Sequence, residues 1–159
     1  MQRPKRDLIR GCTRMWESGL ITGTQGNASC RTGRHFIWIT PMGVCKEALS
    51  PRDLILVNLE TTPQEWRHSN IRQTWKMTLP SSDLSVHCEI YRTRLDVSAI
   101  VHAHPSEVVI VSLASIPPNW SITAEGESLG QVSVVARTSQ VGVTTCPRLG
   151  ETENHETNI

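Results

Sequence analysis

Apolar positions near the start of the chain recur with the spacing of a helix. They fall three and four residues apart, at Leu8, Ile9, Cys12, Met15 and Trp16. This period predicts an amphipathic helix over residues 5–19, with Gly19 where a C-cap residue belongs. Residues 22–29 are small, polar and glycine-bearing, and they predict a loop.

Two later segments show the composition of β-strands. Residues 35–40 are rich in β-branched and aromatic side chains, which predicts a strand, and residues 41–43 follow as a turn. Residues 54–59 are almost continuously apolar and predict a second strand. Residues 60–79 are polar and have no clear period, so we interpret them as a long surface connection.

A proline, two serines and an aspartate at residues 80–83 form a helix-start signal, and apolar spacing continues that helix to about Arg94. Residues 97–104 and 132–136 are predicted strands, and residues 106–114 are apolar enough for either a helix or a strand. Helices and strands alternate without a regular βαβ rhythm. The pattern therefore predicts an α/β or α+β protein in which a largely antiparallel sheet is possible.

Composition narrows the class of protein. The 159 residues fit one domain, and a net charge of +1 with scattered basic residues argues against a nucleic-acid or membrane-surface partner. The basic N-terminus is not followed by an apolar run, and no segment is long enough to predict a membrane span. The five cysteines include no C-x-x-C pair, so we interpret them as reduced thiols of a cytoplasmic protein.

The chemistry most visible in the sequence is a pair of histidines at the end of a predicted strand. His102 and His104 are two residues apart, and residues at that spacing share one face of a strand. Two neighbouring imidazoles suit zinc and similar metals, although the spacing alone leaves a structural pair equally open. His87 instead lies on the apolar stripe of its predicted helix, which favours a hydrogen-bonded core or interface residue.

Other polar residues could complete such a site. Asp83 is the best acidic candidate for a further ligand, although a first-turn aspartate also simply favours the helix dipole. The hydroxyls of Ser81 and Ser82 and the backbone of Gly43 could bind an anion, as could the glycine loop at residues 23–27. An ordinary turn explains each of these features about as well.

Taken in order, several motifs resemble those of the class II aldolase/adducin family. The resembling segments are residues 26–31, 39–43, 53–57, 80–83 with His87, 90–91, and 96–105. The similarity runs from about residue 8 to residue 105 and continues weakly through residues 125–142. It implies a three-layer α/β/α fold with a mainly antiparallel central sheet, here one domain over residues 1–159 that is short at its C-terminus. The enzymes of the family are usually homotetramers with sites between subunits.

The resemblance also implies roles for individual residues. It makes His102 and His104 zinc ligands, and it places Asp83 where the aldolase has its acid/base glutamate. It implies a cradle for the substrate phosphate, formed by Gly26, Asn27, Gly43, Ser81 and Ser82. The implied activity is a zinc-dependent aldolase that cleaves a fuculose-1-phosphate-like ketose phosphate to dihydroxyacetone phosphate and an aldehyde. The metal would stabilise the enediolate and a carboxylate would move the proton.

The sequence departs from the aldolase pattern at three places. Asp83 is shorter than the aldolase glutamate and matches the epimerase branch, and Met42 replaces a threonine hydroxyl near the phosphate. The family's third histidine ligand, in an Asn-His-Gly or His-His-Gly context, has no counterpart, since His155 and Glu125 lack the expected surroundings. Three alternatives therefore stand beside the aldolase: a sugar-phosphate 4-epimerase, a dehydratase, and a non-catalytic adducin-like module.

Overall fold

A computed structural model describes residues 3–62, 65, 79–114 and 119 of the chain. The helices are α1 (Arg3–Glu17), α2 (Leu84–Thr93) and α3 (Ser106–Leu113), with a short 3-10 helix at Lys46–Ala48. The strands are β1 (Asn27–Arg31), β2 (Phe36–Ile39), β3 (Ile55–Asn58) and β4 (Ala99–His102). None of the helices in these ranges is long and apolar enough to cross a membrane.

The four strands form one sheet in the order β3-β2-β1-β4, and every neighbouring pair is antiparallel. β1 lies inside the sheet, where Ser29 pairs with Ile39 of β2 and with Ile100 of β4. The predicted antiparallel sheet with helices is therefore confirmed. The complete three-layer arrangement and the single domain over residues 1–159 stay predictions for the whole chain.

Helix α1 covers one face of the sheet. Its buried residues Leu8, Cys12 and Met15 pack in a cluster with Trp38 of β2. The helix ends as its sequence predicts, because Gly19 adopts a positive φ of 70° and Leu20 N–H donates to the Met15 carbonyl at 2.9 Å. This closure satisfies carbonyls that the helix end would otherwise leave unpaired.

Helix α2 packs in a second cluster, which contains the β2 residues that flank Trp38. Its members are all buried: Ile37, Ile39, Ile55, Val57, Leu59, Leu84, Cys88 and Tyr91. Successive side chains of a strand point to opposite faces, so Ile37 and Ile39 face away from Trp38. The two clusters therefore lie on opposite sides of the sheet, and α2 packs on the face opposite to α1.

Most predicted elements are confirmed with small shifts at their ends, and one prediction is partly wrong. Residues 22–29 were expected to form a loop, but Asn27–Arg31 is strand β1. Its composition hides it, since asparagine, alanine and serine have low β-propensity and are selected here by what they contact. Residues 106–114, whose apolar composition permits a helix or a strand, contain helix α3. The predicted strand at 132–136 and most of the predicted connection at 60–79 lie outside the described residues.

The four cysteines in the described ranges are all free, as expected for reduced thiols. Burial is the main reason that the pKa values of Cys12, Cys30 and Cys88 are raised to about 11. Their thiols therefore stay protonated near neutral pH and act as small apolar groups of the core.

Candidate functional site

The pairing of β1 with β4 brings together three polar side chains that are distant in sequence. Asn27 lies directly opposite His102 in this pair, and Asp83 stands at the N-cap of α2. Asp83 Oδ2 accepts hydrogen bonds from Asn27 Nδ2 at 2.6 Å and from His102 Nδ1 at 2.8 Å. Because a carboxylate only accepts, His102 must carry its hydrogen on Nδ1. This tautomer leaves the His102 Nε2 lone pair free on the opposite side of the ring.

The free nitrogen of His102 points at the second histidine. Strand β4 ends at His102, yet the Nε2 atoms of His102 and His104 are 2.8 Å apart. In a tetrahedral zinc site with Zn–N bonds of about 2.0–2.1 Å, neighbouring ligand nitrogens are about 3.3 Å apart. The two imidazoles therefore converge on one point and, with a slight separation, fit two positions of such a site.

Charge reinforces this arrangement. The hydrogen bond from His102 is the main cause that lowers the pKa of Asp83 to about 2, and the bond from Asn27 acts in the same direction. The same bond to Asp83 is the main cause that raises the pKa of His102. Asp83 is therefore an anion near neutral pH. A carboxylate that holds the outer nitrogen of a histidine orients the ring and makes it a stronger metal ligand.

The described residues do not provide a complete set of metal ligands. Within these ranges no group of three or more His, Cys, Asp or Glu could hold a metal ion. Asp83, the acidic candidate for a further ligand, instead contacts His102 on the side away from His104. His155 and Glu125, the two weak alternatives for a third ligand, lie outside the described residues.

All eight residues singled out from the sequence line one cavity of about 250 Å³. The same cavity is lined by Gly26 from the loop before β1, Asn27 from the start of β1, Gly43 from a turn, and Ser81 and Ser82 from the segment before α2. These segments are far apart along the chain, so the sheet and the docking of α2 assemble the site. The cavity thus joins the expected metal-binding and anion-binding groups.

Gly26 is needed for a close backbone approach. Its φ is +65°, and a Cβ at this position would lie 2.6 Å from the His102 carbonyl oxygen and 2.7 Å from Ile21 Cγ2. Gly43 also has a positive φ of 71°, but nothing lies within 4 Å of its ideal Cβ position. Gly26 therefore fixes the distance between the loop and β4, whereas Gly43 serves its turn.

The expected phosphate cradle is partly committed to internal bonds. Ser81 N–H donates to the Thr40 carbonyl at 3.1 Å, and Ser81 Oγ accepts from the Asp83 N–H at 3.3 Å. Ser82 is exposed. Asn27 turns its amide nitrogen to Asp83, and its Oδ1 is buried without a hydrogen-bond partner among the described residues. The hydroxyl hydrogens of the two serines and the backbone N–H of Gly43 are among the donors that remain for an anion.

A buried polar network lies next to the cavity on the α2 side of β1. Ser29 Oγ is 2.7 Å from His87 Nδ1 and 3.0 Å from Tyr91 Oη. The prediction of His87 as a hydrogen-bonded core residue is confirmed, since it is 1% exposed. Ser29 was missed, because β1 itself was not predicted. Lys46, another lining residue of the cavity, was also missed, since nothing in its neighbourhood distinguishes it from a surface lysine.

Several known proteins are similar to this chain in sequence. Residues 6–153 match the family described as Class II Aldolase and Adducin N-terminal domain. Methylthioribulose-1-phosphate dehydratase of Microcystis aeruginosa is 30% identical over 112 residues, covering 70% of this chain and 51% of that protein. L-fuculose phosphate aldolase of Escherichia coli is 32% identical over 131 residues, covering 79% and 55%.

A solved structure shows the same fold. L-fuculose-1-phosphate aldolase from Thermus thermophilus aligns with a TM-score of 0.56 and 32% identity, over 71% of this chain and 52% of that one. The chain spans about half the length of the curated relatives that it matches. The family match covers nearly all of this sequence, and the chain belongs to the class II aldolase and adducin family.

Proposed function

We propose that this chain carries the metal-binding and phosphate-binding part of a divalent-metal-dependent lyase acting on a ketose phosphate. The observation that supports it most is the shared cavity, in which Asp83, His102 and His104 form one hydrogen-bonded chain beside a set of anion donors. Cleavage of a fuculose-1-phosphate-like ketose to dihydroxyacetone phosphate and an aldehyde is the specific reaction we propose. Zinc, a homotetramer with sites between subunits, and a cytoplasmic location belong to the same proposal.

The phosphate end anchors the substrate. The hydroxyls of Ser81 and Ser82 and the backbone N–H of Gly43 would donate to phosphate oxygens. Because they lie in the same cavity as the histidine pair, an anchored substrate places its reacting carbons near the metal position. Such positioning removes much of the entropic cost of bringing the reacting groups together.

The histidine pair would hold the metal. His102 and His104 would hold a divalent ion, which would supply Lewis-acid stabilisation of negative charge on the ketose carbonyl oxygen. His102 is already in the tautomer that offers Nε2, because Asp83 holds its Nδ1–H. His104 must give up its Nε2 hydrogen, or move it to Nδ1, before both nitrogens can bind one ion.

Asp83 has a second carboxylate oxygen for proton transfer. Its Oδ2 accepts from Asn27 and His102, whereas Oδ1 forms no hydrogen bond among the described residues. Asp83 also lines the cavity, so Oδ1 could take or return the proton of a substrate hydroxyl. We therefore propose two roles for Asp83, orientation of His102 and general acid/base catalysis.

A dehydratase is the second candidate. The dehydratase of Microcystis aeruginosa is about as similar to this chain as the aldolase of Escherichia coli. Both reactions require charge stabilisation at a ketose carbonyl, and they differ in whether a C–C or a C–O bond breaks. The choice depends on groups that contact the remainder of the sugar.

A metal-binding measurement tests the metal site that the aldolase and the dehydratase proposals have in common. The purified full chain is dialysed against zinc and its metal content is measured. His102→Ala removes a direct ligand, so it is expected to weaken binding by more than the roughly 10-fold to 100-fold that loss of an outer-shell partner costs. His35→Ala is the matched control, since His35 is exposed and pairs with Glu60. Equal zinc binding by the wild type and His102→Ala would contradict the proposed metal site.

Activity assays separate the candidate functions. Release of dihydroxyacetone phosphate from fuculose 1-phosphate identifies the aldolase, and loss of water from methylthioribulose 1-phosphate identifies the dehydratase. Inversion of the configuration at C4 of a sugar phosphate would identify an epimerase. A protein that binds zinc at His102 but turns over none of these substrates would be the non-catalytic module.

A further inference from the structure

Lys46 is a lysine buried in the wall of the candidate site. Its side chain is 1% exposed, and its Nζ donates to the carbonyl oxygens of Thr24 at 2.9 Å and Val44 at 2.8 Å. Its backbone N–H also donates to the Gly23 carbonyl at 3.4 Å. Lys46 therefore ties the glycine loop to the segment that follows Gly43.

The charge of Lys46 has no ionic partner in the described part of the chain. Its hydrogen bonds there go to neutral carbonyls, and no carboxylate of those residues forms an ion pair with it. Burial leaves the charged form of this ammonium poorly solvated and is the main cause that lowers its pKa. A buried cation is costly unless an anion or a full set of hydrogen bonds compensates it.

The position of Lys46 indicates where such an anion would bind. Among the described residues that line the cavity, Lys46 is the one lysine or arginine, and Gly43, Ser81 and Ser82 share that cavity. An ammonium has three N–H bonds, and two of them are used by Thr24 and Val44. The negative charge of Asp83 is already engaged by His102.

We propose that Lys46 is the cationic residue of the phosphate subsite. Its third N–H would donate to a phosphate oxygen, while its two carbonyl bonds hold the loops that carry the other donors. The inference deepens the proposed function and depends on it for the identity of the substrate. It also explains how the pocket could hold a dianion, since charge-assisted hydrogen bonds are roughly twice as strong as neutral ones.

Inorganic phosphate is the probe for this inference. The full chain is titrated with phosphate at constant ionic strength in the presence of a metal chelator, and the dissociation constant is obtained from the shift in unfolding. Lys46→Met keeps the length of the side chain and removes its charge, so phosphate binding should weaken by roughly tenfold or more. Lys46→Arg keeps the charge and should restore most of the binding.

Lys5→Met is the matched control. Lys5 also donates to a backbone carbonyl, that of Pro51, but it lies outside the cavity, so its loss should leave phosphate binding unchanged. A folded Lys46→Met protein with wild-type phosphate affinity would overturn the inference. It would mean that Lys46 is a tie between loops and nothing more.

The wild-type protein gives a second test if Lys46→Met does not fold. Saturating phosphate should shift the NMR signal of the Lys46 Nζ group, because a new charge-assisted hydrogen bond forms there, without changing the signal of Lys5. An unchanged Lys46 Nζ signal at saturating phosphate would also overturn the inference. Both measurements are made without metal or turnover, so failure of the proposed lyase activity would be seen separately.

Discussion

His87 and His102 lie on the same face of β1, beside Ser29 and Asn27, which are two residues apart on that strand. The surroundings of the two imidazoles differ. His87 is buried and forms a hydrogen bond with Ser29, which also contacts Tyr91. His102 lines the cavity, and both His102 and Asn27 donate hydrogen bonds to the carboxylate of Asp83. Alternate residues of a strand share a face, so one strand positions both groups. One group belongs to the core and the other belongs to the site.

The difference in pKa follows from the partner of each ring. Burial is the main cause that lowers the pKa of His87 to about 4, since its hydrogen-bond partner Ser29 is neutral. The carboxylate of Asp83 raises the pKa of His102 despite partial burial. A histidine without a charged partner is held neutral by the core, while a histidine beside a carboxylate is oriented and made more basic.

The largest loss of stability is expected at Gly26, where the loop backbone lies close to His102; among the described residues, the group around His87 has no such contact. Gly26→Ala should destabilise the protein by about 3 kcal/mol, because its Cβ would meet the His102 carbonyl oxygen and Ile21. Gly43→Ala has the same strained φ but open space, so about 1 kcal/mol is expected. Urea unfolding measures both. Equal losses would show that the close contact at Gly26 carries no weight.

The neutral state of His87 predicts a loss of stability in mild acid. The unfolded chain gains a proton near the ordinary histidine pKa of 6.5, while the folded protein resists protonation until about pH 4. The free energy of unfolding should therefore fall by about 2 kcal/mol from this group between pH 7.5 and pH 5. His87→Gln removes the titration, so the variant should lose less stability over that range. Parallel profiles for the two proteins would contradict the assignment.

The contact between Asp83 and His102 predicts a smaller effect on metal affinity. Asp83→Asn should weaken zinc binding by about 10-fold to 100-fold, because the carboxylate no longer supports His102. Asp96→Asn is the control, since Asp96 is exposed and pairs with Arg94. Competition with a coloured chelator measures both affinities. An unchanged zinc affinity in Asp83→Asn would contradict the role of Asp83 in orienting His102 and would leave proton transfer as its one proposed role.

Much of this protein follows from local sequence. The period of three and four residues determined helix α1, and Gly19 determined its end, because both depend on neighbours in the chain. The spacing of His102 and His104 and the helix start at Asp83 were visible for the same reason. Ordered motifs then indicated the family, which the match over residues 6–153 confirmed.

The tertiary structure decided what each of these groups contacts. Strand β1 has no apolar pattern, and its small polar residues make sense only beside α2 and β4, which pack against it from far along the chain. The same long-range packing turned Asp83 toward His102 and buried Lys46 in the cavity wall. Sequence spacing determines which side chains share a face, whereas contacts between distant segments determine which of them meet and how their charges are balanced.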